Sequence, residues 1–400
     1  MTTQQIPQIP TPSIEAISYG NETVLTFVIK DVHSSFVNAL RRTILSDIPV
    51  VGFQVEPHEK NQCKIYKNTS KLHNEILKHR LSLIPVVMDA MTDADAVREF
   101  IENMMLEVIV ANDTDTNMYI TTEHFRIKNK KTGEYLPDIE THAIFPKDPF
   151  SGDYILFNRL GGKMGSIQGE ELHLTAEFSV QQAKTSAVYN AVSNVSYGNK
   201  VDTKKALLVW NEMETNMREG NNGAQKITEK EIQLARLNFD ALDRQRHYLP
   251  NQFDFIVETV GQYTNIKIMY LACDFMIRKI REFLRGVNVK DNTVPITSTN
   301  SKNTLENAFD VRLENEGYTL GYLLQYMLME LFFQTNGDGS VVPILSFCGF
   351  VKDHPHNPDS ILRVAFHNPT DATENSVRDV LKHSCEEAIK IFEVIQSYFQ

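Results

Sequence analysis

Four hundred residues, 42% of them apolar, are enough for two or three compact domains with cores of their own. No run approaches the roughly 18–20 uninterrupted apolar residues of a membrane span, and the polar, proline-rich start MTTQQIPQIPTPS lacks the basic opening and apolar segment of a signal peptide. A formal net charge of −11 without a dense basic face argues against phosphate gripping as the main task, and the four cysteines (Cys63, Cys273, Cys348, Cys385), far apart and with no C-x-x-C pair, favour reduced thiols over disulfides or zinc.

Residues 1–13 read as a loose arm. In ETVLTFVIK (22–30) Leu25, Phe27 and Ile29 alternate with Val24, Thr26 and Val28, a strand pattern. Ser34-Ser35 can then cap a short helix in which Phe36, Leu40 and Ile44 repeat every fourth residue. Arg41 and Arg42 sit in its middle, and Ser46-Asp47 with Pro49 end it. VVGFQVEPH, from Val50, reads as a strand. In KNTSKLHNEILKHRLSLIPVV (67–87) Ser70 can cap a helix with Leu72, Ile76, Leu77 and Leu81 on one side, and Pro85 stops it. Helical spacing there places His73 near Leu77 and Glu75 near His79. After a short helix at VREFIENMM come the strand-like runs LEVIVAND, MYITTEHFRIKN, DYILFNRL and ELHLTAEFSV, so that 59–197 reads as one mainly β insert.

Residues 200–250 are more polar, with a flexible break at EGNNGAQ (219–225) and a capping box, Thr228 with Glu231, opening a helix. FDFIVETVG (253–261) is a strand and NIKIMYLACDFMIRKIREFL (265–284) a long amphipathic helix. The polar stretch 285–304 has no hydrophobic period and serves as a linker. Beyond it the chain starts again: strand AFDVRLE, helix TLGYLLQYMLMELFF, a looped region with NGDG, strand SILRVAFHN and a last helix. At an offset of 284, Ser35 falls on Thr319, and Phe36, Leu40 and Ile44 fall on Leu320, Leu324 and Leu328. A strand–cap–helix unit therefore occurs twice. A thin sheet with two apolar helices needs a cover, and the simplest one is the other copy, as a two-fold pseudo-dimer within one chain. Chance similarity between two ordinary units is the alternative.

FVNALRRTILSDIPVVGFQVE followed by NTSKLHNEILKHRLSLIPV closely resembles the assembly subunit of multi-subunit DNA-dependent RNA polymerases, the family of the bacterial alpha, archaeal D and eukaryotic third subunits. AKTSAVYNAVSNVSY (183–197) and FIVETVG match it more weakly. The tail, LENEGYTLGYLLQYML with FVKDHPHNPDSILRVAF, looks like the smaller partner, the archaeal L or eukaryotic eleventh subunit. Fusions of this kind resemble those of some large cytoplasmic DNA viruses.

The resemblance implies an α+β fold: two alpha-like dimerisation domains (14–58 with 198–284, and 305–400) forming an intramolecular pseudo-dimer, the β domain 59–197 being inserted in the first. It implies dimerisation through Phe36, Leu40, Ile44, Leu320, Leu324 and Leu328. Contacts to a large subunit would come from Asn38, Arg41, Arg42, His73, Glu75, His79 and Arg80, arginine's planar fork suiting carboxylates and carbonyls. Two solvated arginines are the plain alternative for Arg41 and Arg42. The implied function is a non-catalytic platform, with two large catalytic subunits and a small subunit of the tenth-subunit type as partners. DNA would be met only through the complex, and no membrane is involved. The compartment is cytoplasmic, a virion or viral factory if viral, or nuclear if cellular.

The chain departs from many relatives in having no cysteine between Lys64 and Ala272, where a zinc loop or iron–sulfur site would stand, so no metal and no cofactor are expected. DTDTN (113–117) lacks the Gly and Glu of a calcium loop, and RLGGKMGS (159–166) lacks phosphate-loop spacing and reads as a hairpin. DHPHNPD reads as a rigid surface loop. No catalytic constellation can be assigned. An enzyme with a dispersed site and a stand-alone protein–protein adaptor are the rival readings.

Overall fold

The computed structural model describes residues 9–20, 23–90, 94–219, 228–288, 293–298, 305–333 and 343–400. The breaks expected at EGNNGAQ and NGDG fall mostly or wholly outside these residues.

β1 (Ser13–Gly20) and β2 (Val24–Lys30) pair antiparallel, and the alternating Leu25, Phe27 and Ile29 of β2 are buried. β1 begins inside what the sequence offered as a loose arm. α1 (Ser34–Ser46) follows with Phe36, Leu40 and Ile44 all buried. Ser35 is not its cap. His33 stands at the helix mouth and its Nδ1 accepts the Ser35 N–H at 3.2 Å, which satisfies one of the helix's orphan donors.

β3 (Pro49–Phe53), β4 (Cys63–Asn68) and α2 (Asn74–Ser82) come next. Ser70 lies outside α2, whose N-cap is His73; the Ser70 hydroxyl donates to Asn68 Oδ1 at 2.7 Å. Leu77 and Leu81 are buried, whereas Ile76 is exposed, so the apolar side of α2 is narrower than its sequence suggests. α3 (Ala94–Asn103) runs straight into β5 (Met104–Ala111). MYITTEHFRIKN is not one strand: β6 (Met118–Thr121) and β7 (Arg126–Asn129) are separated by a 3-10 turn in which His124 Nδ1 accepts the Thr121 N–H at 3.2 Å. The break sends β6 to one sheet and β7 to another. α4 (Asp138–Ile144), β8 (Leu156–Leu160) and β9 (Glu171–Gln182) complete this region.

β10 (Val192–Val201) leads to α5 (Thr203–Glu219) and α6 (Glu229–Ala241). The stretch that looked merely polar thus holds a helical hairpin with a small core of Ala206, Trp210, Ile232 and Phe239. The Thr228–Glu231 capping box is present, the carboxylate accepting the Thr228 N–H at 2.8 Å. β11 (Tyr248–Thr259) and α7 (Asn265–Val287) follow. α7 reaches into the expected linker, which also contains β12 (Ile296–Ser298). The chain ends with β13 (Ala308–Leu313), α8 (Tyr318–Leu328, continued by a π turn at 329–333), β14 (Leu345–Val351), β15 (Ser360–Phe366) and α9 (Glu374–Ser397).

These elements form two compact units. One comprises Met1–Arg42, Val195–Val257 and Cys273–Gln400; the other comprises Thr43–Asn194 and Glu258–Ala272. In the second, β9 is the central strand: β3 and β4 share one of its edges and β5, then β7, lie on the other. Its core gathers Phe53, Phe125, Phe145, Phe157 and Phe178 with Leu77 and Leu81 of α2.

Two four-stranded sheets run in the orders β1-β2-β11-β10 and β12-β13-β15-β14. They have one topology. In each, an outer strand pairs with the strand that feeds a helix, and that strand pairs with the last strand, which precedes a long helix. β13 and α8 begin 284 residues after β2 and α1, the offset read from sequence. An α+β fold with a repeated strand–helix–strand–strand–helix motif is the result.

Candidate assembly surfaces

Within the first unit the two repeats meet through aromatic rings. Phe36 of α1 lies 5.1 Å from Phe392 of α9 and edge-on to Tyr326 of α8; Phe27 of β2 stacks on Phe255 and meets Phe399 at 5.3 Å. Leu320, Leu324 and Leu328 are buried as fully as Phe36, Leu40 and Ile44. His33 stacks flat on Tyr326, centroids 3.9 Å apart, and burial pulls the His33 pKa down. Across the same junction Arg42 Nε donates to Thr319 Oγ1 at 2.9 Å.

These contacts are related by the repeat itself. Arg42 corresponds to Tyr326 and Thr319 to Ser35, so the pair Arg42–Thr319 mirrors Tyr326 against the His33–Phe36 turn. That reciprocity marks an isologous interface. Charged groups sit around it: Lys279 pairs with Glu316 at 3.1 Å and Arg281 with Glu393 at 2.7 Å, and buried Arg378 donates to the Val287 carbonyl at 2.6 Å.

The residues offered for large-subunit contact fall in several environments. Arg41 directs Nε and Nη2 back onto Asn38 Oδ1 (3.1 and 3.0 Å), a fork held in place with no carboxylate partner among the described residues. Arg42 is exposed and bonded within the chain. Arg80 donates to the Phe157 and Leu156 carbonyls at 2.7 and 2.6 Å, which ties α2 to β8. His73 and Glu75 are exposed. His79 does not meet Glu75; its Nε2 lies 2.8 Å from Glu56 Oε1.

Glu75 and His79 nevertheless share a site. In the second unit a groove of about 990 Å³ is lined by both, by Glu56 and Leu83, and by Ser186 and Tyr189 from the 183–197 stretch. Two motifs far apart in sequence thus converge on one surface. Leu83 is 62% exposed, a large apolar side chain beside charged ones. Tyr189 forms the groove's floor: its hydroxyl donates to the Phe53 carbonyl at 3.2 Å, and its ring lies so close to Gly52 that a Cβ there would sit 3.2 Å from the ring. Sequence reasoning missed Glu56, Leu83 and Tyr189. The glycine inside the β3 run was the available signal, since a strand glycine often marks a close approach.

Among the described residues no group of three or more His, Cys, Asp or Glu could hold a metal ion. The four cysteines are free; burial pushes the Cys63 thiol up to about 11 and that of Cys348 to about 12. No helix among the described residues is long and apolar enough to cross a membrane.

Comparison with known proteins adds three findings. The family described as the RNA polymerase Rpb3/Rpb11 dimerisation domain matches residues 26–280, more than half of the chain. "DNA-directed RNA polymerase subunit Rpo3" of Pyrococcus furiosus is 23% identical over 277 residues, 66% of this chain and 92% of that protein. A 69-residue stretch, 17% of this chain, is 33% identical to 18% of "DNA-directed RNA polymerases I and III subunit RPAC1" of Mus musculus. Residues 281–400, which hold the second repeat, lie outside the family match.

Proposed function

The chain belongs to the RNA polymerase Rpb3/Rpb11 dimerisation-domain family, and on that premise we propose that it is a non-catalytic assembly subunit of a DNA-directed RNA polymerase in which a third-type and an eleventh-type subunit are fused. The single observation that carries the fusion is the second sheet. It repeats the first strand for strand, and the helices that follow the matching strands, α1 and α8, pack on each other. A separate partner subunit would supply that second half in trans. Here it is tethered, and tethering supplies an effective concentration of order millimolar.

The platform acts by placing partners. Two large catalytic subunits and a small tenth-type subunit are its proposed ligands, and DNA is reached only through them. Asn38 with Arg41 on α1, and Glu75 with His79 in the groove of the second unit, are the proposed contact points. Arg42 and Arg80, also offered for that interface, make hydrogen bonds within the chain as well. The protein works where its polymerase works, in the cytoplasm, viral factory or virion for a viral enzyme and in the nucleus for a cellular one.

The test is affinity purification of the tagged full chain from its native source. Two large polymerase subunits in roughly equal amounts are expected. Recovery of the chain alone, or with unrelated proteins, would instead favour a stand-alone adaptor. Arg41→Glu should reduce recovery of one large subunit while changing the unfolding midpoint little, because among the described residues the Arg41 hydrogen bonds go to Asn38 in its own turn.

A further inference from the structure

The helix α6 is apolar on two sides. Ile232 and Phe239 are buried in the small core that α6 shares with Ala206 and Trp210 of α5. At about 100° per residue, Leu234 and Leu237 fall on the opposite side. There they are 59% and 67% exposed. Lys230 and Ala241 stand in line with them, and both are exposed. The row Lys230, Leu234, Leu237, Ala241 is spaced four, three and four residues, the spacing of a helix that packs along its length on another. A lone exposed leucine is ordinary; two in such a row make a seam. The matching row on the outer side of α5, Lys204, Leu208, Asn211 and Thr215, holds one leucine among polar residues and makes none.

A helix with apolar stripes on opposite sides is built to lie between two neighbours. For α6, α5 is one of them. The hairpin presents the open stripe on a fixed frame. Arg218 of α5 pairs with Glu214 at 2.8 Å and with Glu229 of α6 at 2.9 Å. Arg236 lies over the Trp210 ring at 4.9 Å, and its Nε donates to Asp240 at 2.8 Å. A ligand would meet a surface already ordered, which favours binding.

Lys230 specifies the occupant. It stands in the seam itself and has no ion-pair partner among the described residues. If two identical seams lay parallel in register, Lys230 would meet Lys230. If they lay antiparallel with the leucines matched, it would meet Ala241. A second copy of this chain therefore brings no carboxylate to it, whereas a different helix can.

We propose that α6 is a docking seam for an amphipathic helix of another protein, one with an apolar stripe of three-four spacing and a carboxylate one turn beyond it that pairs with Lys230. The seam uses none of the residues proposed for large-subunit contact.

The experiment titrates the full chain with two fluorescent peptides of two heptads each, at concentrations where the peptides are monomeric. Both carry leucine at the seam positions, and they differ only in having Glu or Lys at the place that meets Lys230. The Glu peptide should bind about five times more tightly than the Lys peptide, and Lys230→Glu should reverse that order. Leu234→Gln/Leu237→Gln, which keeps helix propensity, should weaken the Glu peptide at least about ten-fold and change the unfolding midpoint little. Failure of both peptides to bind would overturn the proposal. So would equal binding of the two, or an order that Lys230→Glu does not reverse, since the stripe would then be apolar surface without a charge preference. A clear fall in the midpoint of the leucine double variant would mean that the chain's own residues already cover the stripe. A wild-type dimer in sedimentation that the double variant lacks would mean that a second copy is the occupant; either result rejects the proposal. None of these outcomes depends on the polymerase reading.

Discussion

The two repeats of the first unit share a plan and differ in what they carry. In the first, the connection from α1 to β10 holds nearly all of residues 43–194, and the step from β10 to β11 holds α5 and α6; in the second, β14 and β15 are joined by a short loop. The buried positions are held to one chemistry: Phe36, Leu40 and Ile44 face Leu320, Leu324 and Leu328 in the alignment, all six buried. The half-exposed positions have diverged. Asn38, Arg41 and Arg42 become Tyr322, Gln325 and Tyr326. A pseudo-two-fold core with unlike rims can offer different chemistry to different neighbours. The packing requirement fixes the inside, and nothing in it restrains the outside.

The severest way to break the comparison is to empty matched core positions. Phe36→Ala should cost about 3–5 kcal/mol and Leu320→Ala about 2–5 kcal/mol, the lost transfer energy plus the cavity left behind. Urea unfolding of each single variant measures this. If one half tolerates the loss while the other does not, the two are not equivalent parts of one core.

A second position separates the halves instead of uniting them. Val37 of α1 corresponds to Gly321 of α8. Val37 is buried, whereas a Cβ on Gly321 would stand 2.0 Å from the Phe350 ring. Gly321→Ala should therefore destabilise by about 1–3 kcal/mol through overpacking, reduced by the roughly 1 kcal/mol that alanine gains over glycine in a helix. Phe350→Leu in the same chain should restore the loss, because it removes the ring that leaves no room.

How much of this could be read beforehand follows from the same contrast. The apolar period of α1 and α8 was legible because burial on one face imposes it, and the repeat followed from that period. The Thr228–Glu231 box was legible because capping chemistry is local. β12, β14 and the pairing of His79 with Glu56 were not. The three-residue edge strand β12 carries almost no pattern, β14 (LSFCGFV) shows no sustained alternation, and a hydrogen bond between a helix and a distant loop is set by tertiary packing alone. The internal bonds of Arg80 were hidden for a related reason: an arginine reaching two carbonyls inside its own unit looks, in sequence, like one reaching a partner.

The α5–α6 hairpin exists in one repeat only, so weakening it should leave the shared core intact. Thr228→Ala removes the capping hydroxyl and should cost about 1 kcal/mol. The effect should appear as faster hydrogen exchange within 229–241, with the global unfolding midpoint little changed.

The smallest expected effect concerns His33, whose counterpart is Gly317, so that acid sensitivity at the junction is one-sided. Protonation would gain attraction to the Tyr326 face, and Asp31 and Glu330 line the same groove as His33 and Tyr326. Burial nevertheless outweighs these, since the His33 pKa lies below the ordinary 6.5. The folded chain thus binds fewer protons at this site than the unfolded chain once the pH falls below 6.5. Stability is fully present above that value and declines as the pH drops toward the depressed folded pKa. His33→Gln keeps an acceptor near the Ser35 N–H and cannot titrate. Urea midpoints at about pH 7.5 and about pH 5.5 should fall further for wild type than for the variant. Equal slopes would mean that the ring meets water freely, and the stacked junction between the repeats would then be looser than its 3.9 Å spacing implies.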